Sequence, residues 1–325
     1  MNSTTTKPDL DVVILAGGLS HEREVSLRSG RRVAETLRDF GQHVEVLDVD
    51  SDLLATLRSR RPDVVWPLLH GSTGEDGSIR DLLHLVGVPY VGTGSAGSRI
   101  AWNKPVAKTL LNRAGGPTPE FVTLPQSLFR EAGAHTVLGA VLDRLGLPLV
   151  VKPAQGGSAL GVTLVTEADD LAQAMVSCFS YGEVALIERA VTGTEVAVSV
   201  VDVDPGGAPR ALPIVEIVTD DGPYDYDARY NAGRTEYFVP ARLSGGVERA
   251  AIDMAVLAHR ELGLQHLSRT DIIIDSGGTP WFLEVNVAPG MTETSLLPQA
   301  AQAADQRADQ LYAAIAAAGA RTARD

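Results

Sequence analysis

The chain has 325 residues, 44% of them apolar, a net charge of −13 and a single cysteine, Cys178. A chain of this length builds two or three domains around real cores. The acidic balance argues against general binding to nucleic acid or anionic membrane, one cysteine excludes an internal disulfide, and no apolar run approaches the ~20 residues of a membrane span. The polar first ten residues lack the apolar centre of a signal peptide, so a cytoplasmic enzyme or binding protein is expected.

In chain order, residues 11–16 form an apolar strand that runs into Gly17-Gly18. A helix over 26–40, a strand over 43–49, a helix over 53–60, a strand over 63–69, a helix over 79–86 and a strand-like 88–91 follow. This alternation predicts a doubly wound parallel sheet, with ligands gathered at the carboxyl ends of its strands. The loops 17–25 and 70–78 sit there, and the first carries Glu22 while the second opens on His70. Glu22 suits a substrate ammonium, with helix capping by its neighbours as the plainer role; His70 suits a carboxylate or simple packing.

A boundary falls near Trp102, which gives an N-terminal α/β domain over 1–102. A helix restarts at Pro105 and ends at Gly115-Gly116-Pro117. Strands over 148–153, 162–166, 184–190 and 195–202, with few helices between them, predict an antiparallel α+β layer, divided into a central part (103–187) and a C-terminal part (188–325). Two further strands, 212–218 and 236–240, bracket a long polar loop over 220–234, a candidate lid containing Tyr226 and Tyr230. A helix over 247–262, a hairpin, and an Ala-rich helix over 298–318 complete the chain.

The hairpin carries the clearest chemistry. Two apolar runs flank Ser276-Gly277-Gly278-Thr279, and a two-residue Gly-Gly turn sets Asp271 opposite Glu284 and Arg269 opposite Asn286. Alternation then puts these four on one face, with Ile272, Ile274, Leu283 and Val285 on the other. Two carboxylates and a carboxamide oxygen suit a hard cation such as Mg²⁺; a solvated hairpin face and a buried ion-pair network are the alternatives.

Lysine occurs only at positions 7, 104, 108 and 152. Lys152 interrupts an apolar strand, where a compact point charge points to function. Three residues on, Gln155-Gly156-Gly157-Ser158-Ala159-Leu160-Gly161 joins strand to strand and suits a phosphate cradled by backbone N–H groups, although it is neither a Walker A nor a dinucleotide fingerprint. Gly290, after the hairpin, can offer an unhindered N–H to an oxyanion.

Together these segments resemble the D-alanine–D-alanine ligase family of the ATP-grasp superfamily. The distinctive stretches are Gly17-Gly18-Leu-Ser20-His-Glu22-Arg-Glu-Val-Ser26, Leu69-His70-Gly71-Ser-Thr-Gly-Glu75-Asp76-Gly77, Lys152-Pro-Ala-Gln-Gly-Gly-Ser158, Tyr224-Asp-Tyr226-Asp-Ala-Arg229-Tyr230 and Glu284-Val-Asn286-Val-Ala-Pro-Gly290-Met-Thr. The resemblance implies a two-part ATP-grasp fold after the parallel-sheet domain, and ATP-dependent joining of two D-alanines through an acyl phosphate to supply peptidoglycan precursor. Related ligases that use D-serine, D-lactate or another second substrate are the alternative. It implies that Lys104, Lys152, Ser158 and Arg229 contact the phosphates of ATP, that Glu188, Arg189 and Val191 border adenine, and that Glu195 meets the ribose. Asp271, Glu284 and Asn286 would bind two Mg²⁺ (or Mn²⁺) ions, with room for a monovalent cation such as K⁺. Glu22 would hold the first D-alanine's ammonium and His70 lie near its carboxylate. Arg269 and the Gly290 N–H would stabilise the tetrahedral oxyanion, and Ser295 with Arg269 would hold the second carboxylate. Ser158, Tyr230 and Glu22 would bridge the closed loop. A homodimer through the N-terminal domain is also implied. The chain departs from the family pattern at Arg229, where a Lys is common, at Ala159, at Trp102-Asn103 and at Ala190, where a larger side chain often flanks adenine.

Overall fold

The computed structural model describes residues 9–219 and 235–322. Its first layer is a parallel sheet in the order β2 (His43–Leu47), β1 (Asp11–Leu15), β3 (Val64–Pro67). The apolar run Val12–Leu15 is buried along its whole length because helices cover both faces, as a central parallel strand requires. The expected strand over 88–91 contributes a single parallel bridge, Val65 to Tyr90. Helix Arg23–Asp39 turns Ser26, Ser29, Gly30, Val33 and Leu37 inward. Gly30 is required there, since a Cβ would lie 2.5 Å from that of Ala16. Ser26 ties the two ligand-facing loops together: its hydroxyl accepts from Gly17 N–H at 2.8 Å and donates to the Leu68 carbonyl at 2.6 Å.

The second layer is antiparallel, in the order β4 (Phe121–Pro125), β7 (Val184–Arg189), β5 (Leu149–Pro153), β6 (Thr163–Val165). Helices Gln126–Ala132, Ala134–Leu145 and Leu171–Phe179 lie within this part of the chain, so it is richer in helix than the expected run of strands. Val141, Leu145, Leu171, Met175 and Cys178 pack with Leu149, Val151 and Ile187 into one core. The cysteine is a packed thiol there, pushed up to about 11 by burial.

The third layer has the order β11 (Thr235–Phe238), β10 (Val215–Thr219), β8 (Gly193–Asp202), β12 (His266–Asp275), β13 (Pro280–Asn286), with β9 (Arg210–Ala211) beside β8. β12 pairs with β8 over ten residue pairs and is buried almost throughout. Helix Gly245–Glu261 covers one face of this sheet, packing Ala251, Met254 and Ala255 with Ile272, Ile274 and Phe282. Ile272, Ile274 and Phe282 each contribute about 1.5–3 kcal/mol by this burial. The opposite face of β12 carries Arg269 and Asp271.

The expected Ala-rich helix over 298–318 is two helices, Leu296–Ala303 and Ala308–Arg321. Asp305, at a φ of +53°, turns the chain between them, and the second helix doubles back onto β3 and helix Arg23–Asp39. The last helix thus caps the N-terminal sheet.

Candidate active site

The hairpin β12–β13 places Arg269 opposite Asn286 and Asp271 opposite Glu284, as expected, but the turn differs. Asp275 N–H donates to the Thr279 carbonyl and Gly278 N–H to that of Asp275, so the loop has three residues and closes at Gly278, whose φ is +82°. The expected Ser276–Thr279 pair is therefore absent. This shifts the pairing by one, giving Ile272–Phe282 and Ile274–Pro280, until a bulge at Leu283 shifts it back. Phe282 takes the core position. Leu283, expected in the core, joins Ile273 on the wall of a cleft beside Glu284.

Two clefts meet here. One, of about 920 Å³, is walled by Val150, Leu160, Ile273 and Leu283, with Lys152, Glu188, Arg189, Val191, Glu195 and Asp271 around them. The other, of about 1010 Å³, brings together Glu22, His70, Ser158, Arg269, Asn286, Gly290 and Ser295 from all three layers. Lys104, Gly156, Gly157 and Glu284 border both.

The polar groups of the first cleft are paired. Glu188, 2% exposed, lies 2.5 Å from Lys152 Nζ through one oxygen and 2.7 Å from Lys108 Nζ through the other. Burial pushes its carboxyl upward, but the two ammoniums outweigh that and hold it below the usual range. The N–H groups of Arg189 and Ala190 donate to the carbonyls of Glu120 and Pro148, so this edge is fixed in place. At the shared wall Lys104 Nζ donates to the Gly156 carbonyl at 2.5 Å and stands 3.3 Å from Glu284. Asn103 caps the helix that carries it, accepting from Val106 N–H.

In the second cleft, Ser158 Oγ donates to Glu22 Oε1. Ser158 and Ala159 both have φ near +50°, at 52° and 54°, a conformation costly for residues with a Cβ and concentrated at ligand-binding loops. Arg269 forks onto Asp271 with two bonds of 2.8 Å. Asn286 Oδ1 accepts from Ala288 N–H at 2.8 Å, which fixes its carboxamide. Ser295 Oγ accepts from Thr292 N–H at 3.0 Å, and a Cβ on Gly290 would stand 2.7 Å from that oxygen. His70, 6% exposed, has no hydrogen-bond partner for Nε2 among the described residues. Burial holds this imidazole below its ordinary value, against Glu22 and with Arg269. Arg229 and Tyr230 lie outside the described residues.

Asp271, Glu284 and Asn286 suit a cation that brings other ligands with it. Among the described residues no three His, Cys, Asp or Glu side chains form a metal cage. Two carboxylates and one carboxamide, beside a cleft with lysines, match the sparse protein ligation of Mg²⁺ carried by phosphates.

The family model for the D-ala D-ala ligase C-terminus matches residues 110–316, and that for the N-terminus matches 51–93. A D-alanine–D-alanine ligase of Anaeromyxobacter sp. (strain K) is 42% identical over 89% of this chain and 90% of its own. The chain belongs to the D-alanine–D-alanine ligase family. The structure of the Bacillus anthracis ligase complexed with ATP superposes with a TM-score of 0.79 at 28% identity, over 95% of this chain and 96% of that one. The VanG D-Ala:D-Ser ligase of Enterococcus faecalis gives 0.77 at 26%, over 94% and 97%. The parallel layer followed by two antiparallel layers is the ATP-grasp architecture of these ligases.

Two buried groups were missed as site residues in the sequence reading. Glu75, 8% exposed, accepts from Gly71 N–H at 2.9 Å, and burial, reinforced by Glu22, pushes it up to about 8. Lys108 is fully buried and lowered by burial to about 8. Glu75 stands in a quoted motif, so its position there was the available signal. For Lys108 the available signal was its spacing, four residues after Lys104 on one helix.

Proposed function

We propose that the two clefts join two D-alanines at the expense of ATP, with ATP in the cleft of Lys152 and Glu188 and the amino acids in the cleft of Glu22 and Arg269. The observation that supports this reading is the shared wall of Lys104, Gly156, Gly157 and Glu284, across which the end of a triphosphate in one cleft would meet a carboxylate in the other. That carboxylate attacks the γ-phosphorus, the bond to the β-phosphate oxygen breaks, and ADP and an acyl phosphate form. The second amine then attacks the acyl carbon, phosphate leaves with the bonding pair, and the amine proton is lost. Glu22 orients the first ammonium. Arg269 and the Gly290 N–H meet the oxyanion, whose charge develops only as the amide bond forms. Ser295 with Arg269 holds the second carboxylate. Asp271, Glu284 and Asn286 would hold Mg²⁺, which supplies charge neutralisation on the phosphates. The family resemblance assigns Arg229 to the γ-phosphate and Tyr230 to a bridge with Ser158 and Glu22; both lie outside the described residues.

On this reading the domains follow the expected 1–102, 103–187 and 188–325, with the second boundary moved past Arg189 because 187/188 would cut β7, and the enzyme supplies peptidoglycan precursor in the cytoplasm as a homodimer. Among the described residues no helix is long and apolar enough to cross a membrane, which is compatible with that setting. ADP release from purified protein with ATP and Mg²⁺ tests the reading. Release that depends on D-alanine supports it; nucleotide that stays intact with D-alanine present overturns it in favour of a non-catalytic nucleotide-binding protein.

A further inference from the structure

Lys104 and Lys108 are four residues apart on helix Lys104–Arg113 and so share one face, yet only Lys104 reaches a cleft. Lys108 is 0% exposed; its ammonium donates to Thr118 Oγ1 at 2.8 Å and to the Phe282 carbonyl at 3.1 Å, and stands 2.7 Å from Glu188 Oε2 as an ion pair. These come from the connector after the helix, from β13 and from β7. A buried ammonium is costly unless fully partnered, so a lysine here needs a reason beyond packing.

The reason lies one residue further on. Glu188 also pairs with Lys152, which lines the nucleotide cleft. Were Glu188 bound to Lys152 alone, the pair would be neutral and the cleft wall would present no net charge to a polyphosphate. Lys108 takes half of the carboxylate from behind, leaving the trio Lys108–Glu188–Lys152 with one net positive charge at the cleft surface. It also anchors the Glu188 carboxylate at a fixed depth, which sets where Lys152 Nζ stands.

We infer that Lys108 is a positioning residue for the nucleotide: by holding the Glu188 carboxylate from behind, it sets where the Lys152 ammonium stands at the wall of the cleft proposed for the anionic phosphates. This rests on the nucleotide reading of that cleft. Among the described residues, the hydrogen bonds and the ion pair of Lys108 go to Thr118, Phe282 and Glu188, none of which lines the amino-acid cleft, so the larger effect falls on nucleotide affinity.

The test is Mg·ADP affinity by calorimetry, together with separate KM values for ATP and D-alanine. In Lys108→Met the ADP Kd and ATP KM should rise about tenfold or more, as for other buried charge partners, while the D-alanine KM stays within about twofold. A merely structural lysine would lower thermal stability without this split. Should Lys108→Met fail to fold, Thr118→Val removes one of the three neighbours and should raise the ADP Kd about threefold. Wild-type affinity in whichever variant folds overturns the inference. Absence of ADP binding by the wild type overturns the nucleotide reading instead.

Discussion

At the cleft proposed for the nucleotide, Glu188 is held by Lys152 on the cleft side and by Lys108 from behind, and the edge N–H groups of Arg189 and Ala190 are already spent. In the amino-acid cleft, His70 Nε2 is buried without a partner among the described residues, and Glu75 is pushed up to about 8. On the proposed assignment, the protein supplies its own counterions where a large ligand would dock by shape and phosphate charge. Where a small zwitterion must be held by a few contacts and then transformed, buried groups are left to be completed by the ligand. Fixed charge is built ahead of binding on one side; on the other a buried imidazole and a raised carboxyl remain for a ligand to complete, while Arg269, forked onto Asp271, is preorganised.

The sharpest way to break this contrast is at the wall the clefts share. Glu284→Gln should lower kcat by about a thousandfold, because Mg²⁺ loses a carboxylate where the phosphate charge must be neutralised; near-normal turnover at saturating Mg²⁺ would sink the metal assignment. Gly290→Ala puts a methyl group 2.7 Å from the Ser295 oxygen and should cost about a hundredfold in kcat/KM for the second D-alanine, with ADP affinity unchanged. Equal losses for both ligands would erase the distinction between the clefts.

Ser158→Ala removes the bond to Glu22 and should lower kcat about tenfold, with more ATP hydrolysed per dipeptide made. Unchanged coupling would mean this bond only packs the loop. The smallest effect is expected at Glu75. Its folded pKa lies above the unfolded one, so the stability from its retained proton is complete below the ordinary carboxyl range and is lost as pH rises towards about 8. Glu75→Gln should therefore melt about 2 °C or more above wild type at pH 8 and level with it near pH 4. Parallel melting curves across that range would show that Glu75 is not held protonated.

Alternation along two strands made the facing pairs Asp271–Glu284 and Arg269–Asn286 legible, and the β-α alternation made the parallel sheet legible. The turn was misread because Gly277-Gly278 suits either loop length, and the bulge at Leu283 has no mark of its own in an apolar run. One extra loop residue and one bulged residue cancel, so the metal-binding end came out right. Helices Gln126–Ala132 and Ala134–Leu145 were missed because only Val141 and Leu145 are buried, too few to set a period. The burial of Lys108 was illegible for a different reason: it is made by Thr118, Glu188 and Phe282, the last two far away in sequence.

The account stands most directly on its product. Purified protein would be given ATP, Mg²⁺ and an equimolar mixture of D-alanine, D-serine and D-lactate, and the products identified by mass. The account predicts D-alanyl-D-alanine as the main product, with one ADP released per dipeptide. A mixed dipeptide or an ester as the main product would contradict the assignment of the second substrate, and ADP without any condensed product would contradict the acyl-phosphate reaction itself.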